Sequence, residues 1–150
     1  MIPVMSSLLD PPNPFDKNAT EKTKVVWALK ERVKELTALH GAARVLEHAG
    51  STPAMILREI VDLLPPAWQY PEITAAKISL GAVEAETPKF RRTSWSQTAA
   101  FSAGEGAEGL IEVVYLEARP EIFEGPFLKE ERALIQSLAQ MLASYFERQA

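Results

Sequence analysis

The spacing of apolar residues changes twice along this chain, and those two changes constrain the fold more than any motif does. Before Thr74 apolar side chains recur every third or fourth position. From Thr74 to Leu116 they recur mostly every second position, and after Pro126 the wider spacing returns. A period near 3.6 marks a helix with one buried stripe, and a period of 2 marks a strand with one buried face. The chain therefore reads as helices, then strands, then a helix.

The first helix is predicted from Glu21 to about His48. Two apolar series run along it. Val25, Leu29, Arg32, Leu36, Leu39, Ala43 and Leu46 form one; Val26, Leu29, Val33, Leu36, His40 and Ala43 form the other. Their overlap makes a face wider than a single coiled-coil seam, which suggests two tasks: covering a core and meeting a partner helix. Gly50 is the stop. Ser51 or Thr52 then caps a second helix, with Pro53 at its first position; it carries Met55, Ile56, Ile60, Leu63 and Leu64 and is expected to end at Pro65 and Pro66.

Four strands follow. Thr74 to Leu80 alternates Ala76, Ile78 and Leu80 with Lys77 and Ser79, and Gly81 turns the chain into a weaker strand from Ala82 to Thr87. Residues 88–93 form a basic loop with Lys89, Arg91 and Arg92. Trp95 to Ser102 alternates again, and Gly104, Gly106 and Gly109 make the next turn. Leu110 to Leu116 is apolar on both faces except at Glu112, which predicts a central position. Gly125 and Pro126 open the last helix, with Glu130 and Glu131 near its positive end and a stripe of Leu128, Ile135, Leu138, Leu142 and Tyr145, widened by Leu134, Met141 and Phe146. Short connections favour an antiparallel sheet. The expected class is α+β: an antiparallel sheet of four to six strands with helices segregated to one face.

The 150 residues suit one domain, expected over 21–150, behind a loosely ordered tail at 1–20 that contains Pro11, Pro12 and Pro14. The net charge of −4 argues against a nucleic-acid surface. With no cysteine, disulfides, thiolate zinc sites and cysteine nucleophiles are excluded. The start lacks a basic region followed by a long apolar run, and no stretch reaches the roughly 18 apolar residues of a membrane span. A cytoplasmic protein is expected.

Four segments carry a resemblance. They are Lys30–His40, Pro66–Ile78, Phe90–Trp95, and Ile111–Leu116 followed by Glu124–Glu131. As a set they resemble a compact GAF-like domain of bacterial signalling proteins, including sensor histidine kinases. The resemblance implies a GAF/PAS-like sheet, a homodimer, a sensory or regulatory role, and transmission along the terminal helices. It names no ligand or cofactor. The chain carries no kinase, cyclase or DNA-binding output, so a histidine kinase or other output would lie in another segment or another protein. Methionine sulfoxide reduction and covalent bilin attachment, known in some GAF-type proteins, need cysteines that are absent here.

Trp68, Phe90, Arg91, Trp95 and Tyr115 are the candidates for lining a small-molecule pocket; aromatics are also ordinary core residues. Lys89, Arg91 and Arg92 are expected to be a solvated loop, too few for nucleic acid. His40 and His48 lack the carboxylate company of a metal site and read as surface or interface residues. The run from Gly104 to Gly109 is acidic and precedes a strand, so it reads as a hairpin turn rather than a phosphate cradle. No catalytic constellation can be argued from spacing. The strongest functional feature is the pair of terminal helices. Val25, Leu29, Leu36, Ala43, Ile135, Leu142, Tyr145 and Phe146 are the candidates for a dimer interface, expected as a four-helix bundle, because helices of about 25 residues outreach a short sheet. The alternatives are a stand-alone small-molecule-binding protein and, more remotely, an enzyme.

Overall fold

A computed structural model describes residues 20–48 and 50–149. The predicted tail, apart from Thr20, lies outside the described residues. Helix α1 (Glu21–Glu47) starts at Thr20, whose side chain accepts from the Thr23 amide at 3.1 Å. Helix α2 (Pro53–Val61) starts at Thr52, which accepts from Met55 in the same way. Both are side-chain N-caps, satisfying amides that the helix itself cannot. The expected end of α2 at the two prolines is corrected. The helix stops at Val61, and Pro65 and Pro66 fall in the short helix α3 (Leu64–Ala67). Early in a helix a missing N–H removes no internal bond, so proline fits there.

The sheet comprises β1 (Thr74–Leu80), β2 (Val83–Glu86), β3 (Ser96–Ser102) and β4 (Glu108–Tyr115) in the order β2-β1-β4-β3, every pair antiparallel. β4 is an interior strand, as its two apolar faces predict. A two-residue turn at Gly81 and Ala82 joins β1 to β2, with Gly81 at a φ of 59° that glycine adopts without strain. Helix α4 (Lys129–Gln149) closes the fold. It begins three residues later than the expected Gly125–Pro126 start, because Phe123 to Phe127 form a tight bridged turn instead.

One sheet face holds Ala76, Ile78, Ala85, Ala99, Phe101, Ile111, Val113 and Tyr115, all buried in one apolar cluster. Helix α2 lies over β1 and β2, and α4 over β3 and β4. Helix α1 packs on α2, α3 and α4. Its two buried residues are small, Ala38 and Ala42, with Leu39, Val45 and Leu46 packed against the core beside them, and a Cβ on Gly41 would come within 3.1 Å of the Leu63 side chain. Small side chains let α1 approach closely.

β2 and β3 are consecutive in sequence yet sit on opposite edges, so the segment between them must cross the sheet. As expected the loop is solvated, with Lys89, Arg91 and Arg92 exposed, but it is not loose. Arg92 makes a two-point contact with the buried Glu112 at 3.1 and 3.2 Å, Arg91 donates to the Leu116 carbonyl, and the Thr93 hydroxyl donates to the Tyr115 carbonyl. The segment is a strap tied to the end of β4.

Packing beneath the sheet leaves no spare volume at Gly109. A Cβ there would fall 2.2 to 2.5 Å from the ring of Phe101, its directly paired residue on β3. Gly109→Ala is expected to lower unfolding free energy by about 1–3 kcal/mol through overpacking. Urea denaturation of the two proteins measures it, and an unchanged midpoint would contradict the packing.

Candidate functional site

The Trp68–Gln69 segment gathers bonds from every layer of the fold. Trp68 is fully buried, and its indole N–H donates to Gln97 Oε1 on β3 at 3.1 Å. Gln97 in turn donates to Glu124, which Arg132 of α4 grips through two nitrogens while also donating to the Thr98 carbonyl. The Trp68 carbonyl accepts from Lys34 of α1 at 2.9 Å, and Lys34 also pairs with Glu31 one turn earlier. The Gln69 amide donates to Glu131 Oε2 at 2.6 Å, while Gln69 Oε1 is buried without a partner.

Glu131 is the most deeply buried charged side chain among the described residues, 3% exposed. Its Oε1 accepts from the Leu128 amide at 2.8 Å, the reach-back half of a capping box at the start of α4. The Tyr115 hydroxyl approaches it at 3.4 Å. Burial pushes the Glu131 carboxyl up to about 7. The two amide donors oppose that shift, the like charge of Glu31 adds to it, and Lys34 opposes it. Glu124 goes the other way: hydrogen bonding to Arg132 holds it below the usual carboxylate range. Burial raises the Tyr115 hydroxyl far above its ordinary value.

The five pocket candidates do not converge on one open site. Trp68 and Tyr115 have no exposed surface, and Tyr115 stacks on Phe127 with ring centroids 4.5 Å apart. Trp95 is half-buried against the core and its carbonyl accepts from the Tyr115 amide. Arg91 serves the strap. Phe90 alone lines a cleft, of about 510 Å³, together with Arg58, Asp62, Glu86, Thr87 and Lys89. A second cleft of about 510 Å³ runs between the free edge of β3 and α4 and is lined by Thr98, Ala100, Ser102, Arg132, Gln136 and Gln140 among others. Glu131 lines neither. His48 hydrogen-bonds the Arg44 carbonyl, His40 is exposed, and among the described residues no group of three His, Asp or Glu side chains is placed to hold a metal ion.

The interface candidates divide sharply. Ile135, Leu142, Tyr145 and Phe146 are buried within the single chain, so the apolar surface expected to meet a partner on α4 is already covered by its own domain. α4 is used up by the core, so a four-helix bundle has no second helix to offer. α1 is different. Val25, Leu29, Val33 and Leu36 are 56%, 61%, 62% and 49% exposed, and Ala43 is half-buried further along. At 100° per residue this stripe lies opposite Ala38 and Ala42. The wide apolar face read from sequence is mainly the open one: only Leu39 and Leu46 at its border pack against the core, and the docked face centres on Ala38 and Ala42, which neither series contains. Lys34 and Glu131 carry no functional signal in the sequence, where Glu131 reads only as a charge near the positive end of a helix. Compared with protein-family models, curated proteins and solved structures, the chain matches none.

Between about pH 4.5 and 7 the folded protein holds a proton on Glu131 that the unfolded chain has released, so stability falls as pH rises through that window. A shift of that size corresponds to on the order of 3 kcal/mol. Glu131→Gln removes the titration and is expected to flatten the decline, which denaturant melts at half-unit pH steps will show. A Gln variant with the wild-type slope would assign the titration elsewhere.

Proposed function

We infer that the chain is a non-catalytic regulatory module of the GAF-like kind that works in the cytoplasm as a homodimer assembled along α1. The single observation supporting this is the exposed apolar stripe from Val25 to Leu36 on the side of α1 that faces away from its own domain. Four large apolar side chains in a row are costly in water, at about 25 cal/mol per Å² of apolar area. Monomers seldom present such a contiguous line without a partner for it. At 27 residues α1 is roughly 40 Å long, while the longest strand, of eight residues, spans about 27 Å. The helix therefore outreaches the sheet.

The same helix is wired to the domain. Lys34 holds the Trp68 carbonyl, and the next amide is held by Glu131, so a change around α3, β4 or the start of α4 bears on the inner side of α1. Helix shifts of this kind are an established way to pass a signal across an interface. The natural output is a histidine kinase or another signalling domain attached to or bound by the pair. Catalysis is poorly supported: a reacting group needs an open site, and the carboxyl raised to about 7 is sealed in the core.

The cleft beside β3 favours a second reading, a stand-alone binder of a small polar ligand, since its volume falls within the range of ligand sites. Native mass spectrometry of protein purified from its source would reveal a retained molecule.

Sedimentation equilibrium tests the first reading. Wild type at tens of micromolar is expected to be dimeric, and a Leu29→Glu, Val33→Glu double variant monomeric with an unchanged fold. Leu142→Ala should instead lower unfolding free energy by about 2–5 kcal/mol and leave the dimer assembled, because its side chain belongs to the core. A monomeric wild type defeats the reading.

A further inference from the structure

We propose that the partner on the open face of α1 is a second copy of this chain, paired parallel and in register, with the two His40 side chains facing each other across the seam. The proposal rests on the dimeric reading above and adds what that reading leaves open, the direction and alignment of the helices.

Val26, Leu29, Val33, Leu36, His40 and Ala43 follow one another at spacings of three, four, three, four and three. That is the alternation of a two-position heptad seam, and the structure places all six on the side of α1 away from Ala38 and Ala42. Leu29, Val33, Leu36 and His40 are exposed, and Val26 and Ala43 are half-buried. Valine occupies the first position of two successive heptads and leucine the second. β-Branched residues at the first position with leucine at the second favour two parallel strands over trimers or tetramers.

The flanking residues agree. In a parallel, aligned pair Val25 of one helix flanks Lys30 of the other, and Arg32 flanks Thr37, so no like charges meet. An antiparallel pair centred between Leu29 and Val33 would set Lys30 beside Lys30 and Arg32 beside Arg32. His40 takes the first position of the third heptad. One polar residue in such a layer specifies alignment: a slip of one heptad would place each imidazole against Val33 or Glu47. The geometry also leaves room. Each domain sits on the inner face of its own α1, so the two domains flank the seam on opposite sides.

The chain has no cysteine, so a single introduced thiol reports one position. Val26→Cys and Leu36→Cys, each under mild oxidation, are expected to form covalent dimers. Their rate should exceed that of the off-seam control Ala28→Cys by at least about tenfold, because alignment raises the effective thiol concentration. Sedimentation velocity is run on the same samples under reduction. If Val26→Cys stays uncrosslinked but joins Leu36→Cys or Ala43→Cys in a mixture, the pair is antiparallel; the proposal falls and the dimeric reading stands. If the reduced proteins sediment as monomers and none of the thiols outpaces the control, both fall.

Discussion

The fold depends on how it satisfies the polar groups around Trp68 and Gln69. This segment links α3 to the sheet and lies inside the core, where an unpaired carbonyl or amide would cost on the order of 1–3 kcal/mol. The Trp68 amide bonds locally to the Pro65 carbonyl, but the next two main-chain bonds go to different elements: the Trp68 carbonyl to Lys34 on α1, the Gln69 amide to Glu131 on α4. The indole reaches Gln97 on β3. Because these partners lie far apart in sequence, the segment is satisfied only when helices and sheet have come together. Glu131 serves twice, capping α4 at Leu128 and receiving Gln69, which sets both where α4 starts and where it sits.

That arrangement explains the division of labour between the terminal helices. α4 enters the fold already bonded to the hub, and its apolar stripe from Leu134 to Phe146 is spent on the sheet face. α1 is held by Ala38 and Ala42, by Leu39, Val45 and Leu46 beside them, and by Lys34, all on one side. The other side keeps its own apolar line. Two opposite faces on one helix are unusual in a surface helix, which needs a single stripe. The second stripe is what makes assembly the best-supported role for this chain.

The strap shows the same economy in the sheet. A β2-β1-β4-β3 order obliges the connection between the edge strands to cross the two central ones. Arg92 on the strap meets Glu112, the lone acidic side chain in the interior of β4, so a residue that looks misplaced in an apolar strand has a partner 20 positions away in sequence. Buried charge of this kind is stable only when paired.

The amino-acid sequence by itself determined the order of the long helices and the strands, the antiparallel sheet with β4 inside it, a helix cap at Ser51 or Thr52 and the hairpin turns, because each follows from local periodicity or from what glycine and proline permit. It also carried the full heptad series on α1. Tertiary structure alone decided which apolar residues are used up. Leu36 and Leu142 read identically as members of helical stripes, yet one is half in water and the other is sealed. Periodicity reports that a side chain wants a partner; only the packing of distant elements decides whether the same chain already supplies it. For the same reason the fates of Trp68, Arg92 and Glu131 were not legible. Their partners come from other layers of the fold, and no spacing along the chain encodes a contact that the crossing of the sheet creates.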